Sequence, residues 1–306
     1  NDINGSKAII KNKEWQSLRV YLGTMPGDIQ VKENHRETIG LIPAGGKAIR
    51  VAPLPCSKEL YPIGLRRVAE DGKLRPKVVC HYLLEKIQLA GTTKAFIILR
   101  EGKWDIPAYL GDGKMLNMHL AYLMMDLPFG VPYTLDQAYP FLQNATVVFG
   151  FPDIIFQPDD AFVRLLNRQT DTNADIVLGL FPALQPHKVD MVEMDADSRI
   201  HKIVIKPART HLHYTWIIAV WTPVFTRFMH EYLLARQRTN ITYKAATYVG
   251  EMQELFVGDV IQAAIHNHMQ IDTVLFGNGN YLDIGTPEDM VKAIQRHLTD
   301  KNPTAT

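Results

Sequence analysis

Two cysteines, Cys56 and Cys80, are all that 306 residues contain. They match no metal-ligand spacing, and a chain this long can bury a core without staples. Neither a zinc module nor a disulfide scaffold is expected, and the thiols read as reduced, in a cytoplasmic setting. Charge of one sign is lacking too: 33 lysines and arginines face 32 aspartates and glutamates, a net +1, where general nucleic-acid binding shows a basic excess. Any polyanion site must therefore be local. No apolar run approaches the roughly 18 residues of a membrane span, and the opening Asn1-Asp2-Ile3-Asn4 lacks the layout of a signal peptide. Neither nucleic acid nor a membrane is an expected partner. Internal repeats, low-complexity tracts and a serine in a nucleophile elbow are missing as well, which leaves a repeat architecture or a serine hydrolase without support.

What is present is an ordinary folded composition, 46% hydrophobic and 21% charged. From Glu37 onward, short runs rich in Val, Ile and aromatics alternate with longer helical patterns, the mark of parallel strands joined by crossover helices. Strands are expected at 38–43, 93–99, 116–125, 146–150, 174–181, 200–205 and 214–221. Helices are expected at 80–90, 132–143, 160–169, 223–236, 258–268 and 287–297. The last has a signposted start, because Thr286-Pro287-Glu288-Asp289 reads as an N-cap, a proline at the first helical position and two acids in the first turn. The expected fold is α/β: one Rossmann-like domain over 37–298 with a twisted, mostly parallel sheet flanked by helices. Residues 1–36 form an N-terminal extension and 299–306 a tail.

Candidate chemistry starts where the apolar run at Gly40 meets Ala44-Gly45-Gly46-Lys47-Ala48-Ile49-Arg50. A glycine pair at a strand end lets backbone amides approach phosphate oxygens, although such a pair can equally be a plain turn. Between Lys47 and Lys77 stand eight basic residues against three acids, and that local excess favours a triphosphate or pyrophosphate site. Acids at strand ends are the matching requirement, since Mg²⁺ is commonly held by one or two carboxylates plus substrate phosphates. Asp153 closes the apolar run from Thr146, and Asp283 stands just before the capped helix. A lone strand-end aspartate is ordinarily an Asx-turn or a cap. Asp159 and Asp160 fit N-capping better than metal binding, and the pairs His211/His213 and His266/His268 lack a third ligand at a useful spacing.

Together these segments resemble the sugar-1-phosphate nucleotidyltransferases, or nucleotide-sugar pyrophosphorylases, in particular glucose-1-phosphate thymidylyltransferase. The resemblance covers about residues 38–298. The family's Gly-Gly-x-Gly-Thr-Arg loop and Ser-Lys-x-x-x-Pro segment correspond to Gly45 through Arg50 and to Ser57-Lys58-Glu59-Leu60-Tyr61-Pro62. Its Leu-Gly-Asp element corresponds to the run ending at Asp153, its Glu-Lys-Pro to Ile205-Lys206-Pro207, and its Trp-Leu-Asp-x-Gly-Thr-Pro to Tyr281 through Pro287. The base-reading Gln-x-x-Pro-x-Gly turn corresponds to Met125 through Gly130. Ala48, Ile49, Met125 and Ile205 depart from the pattern, and 65–74 is an insertion.

The resemblance implies a nucleotidyltransferase that joins a nucleoside triphosphate and a sugar 1-phosphate, with Mg²⁺ as cofactor; a homo-oligomer is compatible with it. Arg50 and Lys58 take the catalytic positions, Arg50 with Gly45 and Gly46 on the leaving pyrophosphate and Lys58 on the α-phosphate. Asp153 and Asp283 take the metal, and Lys206 the sugar phosphate. Met125 and Gly130 take the base, whose edge a thioether cannot read by donating and accepting hydrogen bonds, so selection falls to Gly130 backbone groups and to shape, or is relaxed. Against this stand a non-catalytic nucleotide-sugar-binding regulatory protein that kept the fold, motivated by the four departures, and a glycosyltransferase, whose Asp-x-Asp motif has one match at Asp195-Ala196-Asp197.

Overall fold

Apolar, β-branched runs that are buried on both faces can only sit inside a sheet covered by helices, and the chain builds that arrangement around them. The computed structural model describes residues 36–67, 72–125, 129–195, 199–245 and 254–299. The expected extension and tail lie almost wholly outside them. The strands are β1 (Thr38–Pro43), β2 (Pro62–Arg67), β3 (Leu74–Val78), β4 (Lys94–Leu99), β5 (His119–Met124), β6 (Thr146–Gly150) and β7 (Ile154–Gln157). Then follow β8 (Ile176–Pro182), β9 (Met191–Met194), β10 (Ile200–Val204), β11 (Tyr214–Trp221), β12 (Ile271–Leu275) and β13 (Asn280–Asp283). The helices are α1 (Val79–Leu89), α2 (Asp105–Leu110), α3 (Val131–Asp136), α4 (Tyr139–Leu142), α5 (Ala161–Thr172), α6 (Pro223–Ala245), α7 (Val257–His266) and α8 (Pro287–Thr299).

Among the described residues, nine strands make the central sheet. Its site-bearing half is parallel, in the order β6, β1, β4, β5, so the carboxyl ends of these four strands open onto one edge. Beyond β6 the long strand β11 enters antiparallel and carries β8 and β9, with β12 parallel on β8 and β10 antiparallel on β9. One apolar layer packs α1 and α5 on one face through Leu83, Ile87, Phe162 and Leu166. The other packs α3, α6 and α7 through Tyr133, Phe225, Met229 and Ile261.

Differences from the sequence reading have local causes. The helix expected over 132–143 is two short ones, since Pro140 in the first turn of α4 has no N–H with which to continue α3. The strand expected from 116 starts at His119, because Leu116 ends a 3₁₀ turn and Asn117 is left-handed at φ +53°. The insertion is an antiparallel hairpin, β2 on β3, with Arg66 opposite Arg75. That hairpin carries most of the basic excess away from the glycine loop: Arg66 Nη1 donates to the Met115 carbonyl at 3.3 Å, Arg67 to the Gly72 carbonyl, and Lys77 pairs with Glu85.

Candidate active site

Past Pro43 the chain leaves the sheet but stays pinned to it, since the Ala44 N–H donates to the Ile98 carbonyl at 2.8 Å. Gly45, Gly46 and Lys47 therefore sit on the rim above the carboxyl ends of the parallel strands, the position where open α/β sheets bind ligands. On the same edge Arg100 follows β4 directly, Met125 follows β5, and Asp153 comes three residues after β6. A cleft of about 590 Å³ opens between them, lined by Gly45, Gly46, Lys47, Lys58, Arg100, Met125, Gly130, Asp153 and Glu254 among others. A second cavity of about 630 Å³ adjoins it and shares Gly46, Lys47, Lys58 and Arg100.

Lys58 is a well-anchored cation of the site. It rides on the 3₁₀ turn Lys58–Leu60, and the residues on either side fix that turn. The Ser57 N–H and hydroxyl donate to the two carboxylate oxygens of Asp105 at 2.6 and 2.7 Å. The Glu59 carboxylate, 3% exposed, receives Lys103 Nζ at 2.6 and 2.8 Å. Between these two clamps Lys58 Nζ forms an ion pair with Asp153 Oδ2. Burial alone would pull the lysine below its ordinary value; the carboxylates of Asp153, Glu59 and Asp283 outweigh it and hold the ammonium above that value.

The second acid arrives by strand pairing. β13 runs antiparallel to β7, with Asp283 opposite Ile154, and the Ile284 N–H donates to the Asp153 carbonyl at 2.9 Å. The two aspartates are thus neighbours across a ladder although they lie 130 positions apart along the chain. Burial, and then Asp153, push the Asp283 carboxyl up to about 6, against the pull of Lys58 and Arg50. Two hard oxygen donors that repel each other in this way fit a divalent cation bound to few protein ligands and to substrate phosphates. Among the described residues, no group of three or more His, Cys, Asp or Glu side chains is placed to hold a metal by itself. α8 begins as expected, the Thr286 hydroxyl accepting from the Asp289 N–H at 3.3 Å.

The remaining sequence candidates fall in three places. Met125 walls the cleft and packs on the glycine loop: a methyl group on Gly45 would lie 2.7 Å from its Sδ. Gly130 adopts φ +120° with the Leu255 backbone laid across it, where a Cβ would meet the Leu255 oxygen at 2.0 Å, so only glycine fits. Arg50 is turned away from Gly45 and Gly46; its Nη2 lies 3.0 Å from where a Cβ on Gly285 would be, beside Asp283, on a separate small cavity of about 170 Å³. Lys206, at φ +37°, holds its Nζ 4.1 Å from the centroid of the Phe256 ring. Phe256 follows the Glu254–Leu255 segment that closes the cleft at Gly130. Asp195 serves the β9–β10 turn, accepting from the Arg199 N–H at 2.9 Å and contacting His201 Nε2 at 3.0 Å; Asp197, Asp126 and Pro128 lie outside the described residues. Asp160 precedes α5 without capping it by a side-chain bond and instead pairs with Arg164 at 2.8 Å, while Asp159 pairs with Lys86.

Arg100 and Glu59 are site residues that no motif assigns, Glu59 standing at an open position of the Ser57–Pro62 segment, and the signal for Arg100 is positional: it is the first residue past a buried parallel strand, at the end where ligands bind.

The nucleotidyl transferase family model matches residues 39–300. A low-salt glycan biosynthesis nucleotidyltransferase of Haloferax volcanii is 23% identical over 268 residues, 86% of this chain and 67% of that protein. A glucose-1-phosphate thymidylyltransferase of Streptomyces antibioticus is 24% identical over 266 residues, again 86% of this chain and 67% of that one. Among solved structures, a protein of Bacillus anthracis assigned provisionally as a glucose-1-phosphate thymidylyltransferase, in complex with sucrose, superposes with a TM-score of 0.68 at 19% identity, covering 87% of this chain and 96% of that one.

Proposed function

The chain belongs to the nucleotidyl transferase family, and from that premise we propose that it joins a nucleoside triphosphate to a sugar 1-phosphate, releasing a nucleoside-diphosphate sugar and pyrophosphate. The observation that carries this reading is the meeting of Lys58, Asp153 and Asp283 beside a glycine-lined cleft at the carboxyl ends of parallel strands. A phosphate oxygen of the sugar 1-phosphate attacks the α-phosphorus in line; the bond to the bridging oxygen breaks and pyrophosphate leaves, so no covalent enzyme intermediate is needed. Lys58, fixed on both sides, offers a preorganised charge where negative charge develops on the α-phosphate. Gly46 offers backbone with open space above it, and Lys47 and Arg100, which line both cavities, are suited to the departing pyrophosphate. Asp153 and Asp283 would hold Mg²⁺, which when bound supplies charge neutralisation at the phosphates. Arg50 sits where it would steady Asp283 rather than touch the glycine loop.

Pyrophosphate release from dTTP and UTP with glucose 1-phosphate, with and without Mg²⁺, tests the reading. Asp153→Asn and Asp283→Asn should each abolish turnover while leaving the fold intact; wild-type rates in both would remove the metal assignment. Tight binding of a nucleotide sugar without pyrophosphate release from the wild-type protein would favour the regulatory alternative.

A further inference from the structure

One acid of the fold has no role in the scheme above. Asp190 immediately precedes β9, its backbone carbonyl accepting from the Thr215 hydroxyl at 2.8 Å. Its carboxylate Oδ1 is buried and has no hydrogen-bond partner. Its Oδ2 hangs over the first turn of α7: a Cβ on Gly258 would lie 2.6 Å from that oxygen and 2.6 Å from Ile205 Cδ1. Position 258 must therefore be glycine for β9, β10 and α7 to converge here. Burial pushes the Asp190 carboxyl up to about 6, with Lys206 pulling it down and Asp259 adding to the rise. A buried carboxylate oxygen without a hydrogen-bond partner costs free energy that a ligand's hydroxyl donor would recover. Two residues before Gly258, Phe256 lies under the Lys206 ammonium, on the same segment whose Glu254 reaches the nucleotide cleft. Lys206 itself is held at a left-handed φ of +37°, a backbone strain that is tolerated where it aims a side chain.

We propose that Asp190 is the residue that selects the sugar: its carboxylate accepts a hydrogen bond from a sugar hydroxyl while Lys206 takes the phosphate of the same sugar 1-phosphate. This rests on the nucleotidyl-transfer reading above. An acceptor-only group beside a cation matches a ligand that carries a phosphate and a neighbouring hydroxyl, and matches poorly an inorganic phosphate or a nucleobase edge. Ile205, whose Cδ1 converges on the same point above Gly258, cannot accept that bond, but a glutamate there could reach it.

The test is steady-state kinetics on wild type, Asp190→Asn, Asp190→Ala and the double variant Asp190→Ala/Ile205→Glu, varying glucose 1-phosphate, galactose 1-phosphate and the triphosphate separately. Loss of a hydrogen bond to a charged acceptor should raise KM for the preferred sugar 1-phosphate about 10- to 100-fold in Asp190→Ala. KM for the triphosphate should stay within about twofold, discrimination between the two sugars should shrink, and the double variant should recover part of the loss. A purely structural carboxylate at the head of α7 would instead lower Tm and leave the sugar KM and the sugar preference unchanged, which overturns the proposal. An equal rise in both KM values overturns it as well. Should Asp190→Ala fail to fold, the near-isosteric Asp190→Asn, which keeps a neutral acceptor, carries the same comparison with a smaller rise in the sugar KM. A wild-type protein that turns over neither sugar 1-phosphate refutes the nucleotidyl-transfer reading itself, an outcome distinct from active variants with an unmoved sugar KM.

Discussion

His81 offers the sharpest thermodynamic prediction. It lies on α1 beneath the hairpin, 0% exposed, with its ring centroid 5.7 Å from that of Tyr109, and neither ring nitrogen has a hydrogen-bond partner. Burial, aided by Arg66 and Lys77, lowers its pKa from 6.5 to about 4. The folded protein therefore keeps the ring neutral at a pH where the unfolded chain has already bound a proton. Between pH 6.5 and 4 the unfolded state binds more protons, so stability falls as pH falls through this window. At about 1.4 kcal/mol per pK unit, this one group removes about 2 kcal/mol by pH 5 and about 3 kcal/mol by pH 4, relative to pH 8. His81→Leu deletes the titration. Repacking costs of the substitution do not depend on pH, and titration of the carboxylates is common to both proteins, so the difference in unfolding free energy between variant and wild type isolates the effect. Urea unfolding at pH 8, 7, 6 and 5 with matched m-values should show the variant gaining about 2 kcal/mol on wild type from pH 8 to pH 5. A difference that is the same at every pH would refute the argument, and with it the seal that the hairpin forms over α1.

Three further outcomes follow from the site. Lys103→Met leaves the Glu59 carboxylate buried without its partner and should cost about 3–5 kcal/mol in urea unfolding, most of it regained in Glu59→Gln/Lys103→Met; a cost below about 1 kcal/mol would mean that this pair does not fix the Lys58 turn. Lys58→Ala should lower kcat and kcat/KM together, whereas Arg100→Ala should chiefly raise KM for pyrophosphate in the reverse reaction; a rise in KM alone for Lys58→Ala would make that lysine a passive binder. Met125→Gln should sharpen the kcat/KM preference between pyrimidine and purine triphosphates, because an amide left unpaired against the wrong base carries a penalty that a thioether does not impose; a wild-type protein already strict for one base would show that another group does the reading.

The fold was legible wherever burial is continuous. β1, β6 and β11 match their expected bounds to the residue, since their runs Thr38–Pro43, Thr146–Gly150 and Tyr214–Trp221 are buried along almost their whole length. β7, β9 and β13 went unread because four residues each are too few to show a period, and β12 because Ile271-Asp-Thr-Val-Leu275 mixes an acid and a hydroxyl into an edge strand. Those elements are set by what they pair with. The omission matters, because β7 and β13 are the pair that brings Asp153 and Asp283 together.

The site was legible one residue at a time and not as an arrangement. Composition alone makes the basic window from Lys47 to Lys77 look like one phosphate cradle, yet only its first part reaches the cleft, because the chain turns back at the hairpin and spends Arg66 on the Met115 carbonyl, Arg67 on the Gly72 carbonyl and Lys77 on Glu85 of α1. Arg50 reads as part of the glycine loop, but Ala48, two residues before it, is left-handed at φ +54° and the turn that follows directs the guanidinium to Gly285 and Asp283. Ile205 looks like the loss of a polar contact, and only the folding of β9 beside β10 shows a carboxylate, Asp190, delivered to the same point above Gly258. In each case the sequence names a chemical group correctly, and the register of two strands or the hand of one turn decides what that group can touch. A departure from a family motif at one position therefore weighs little against activity until the neighbours that the fold brings to it have been examined for the missing atom.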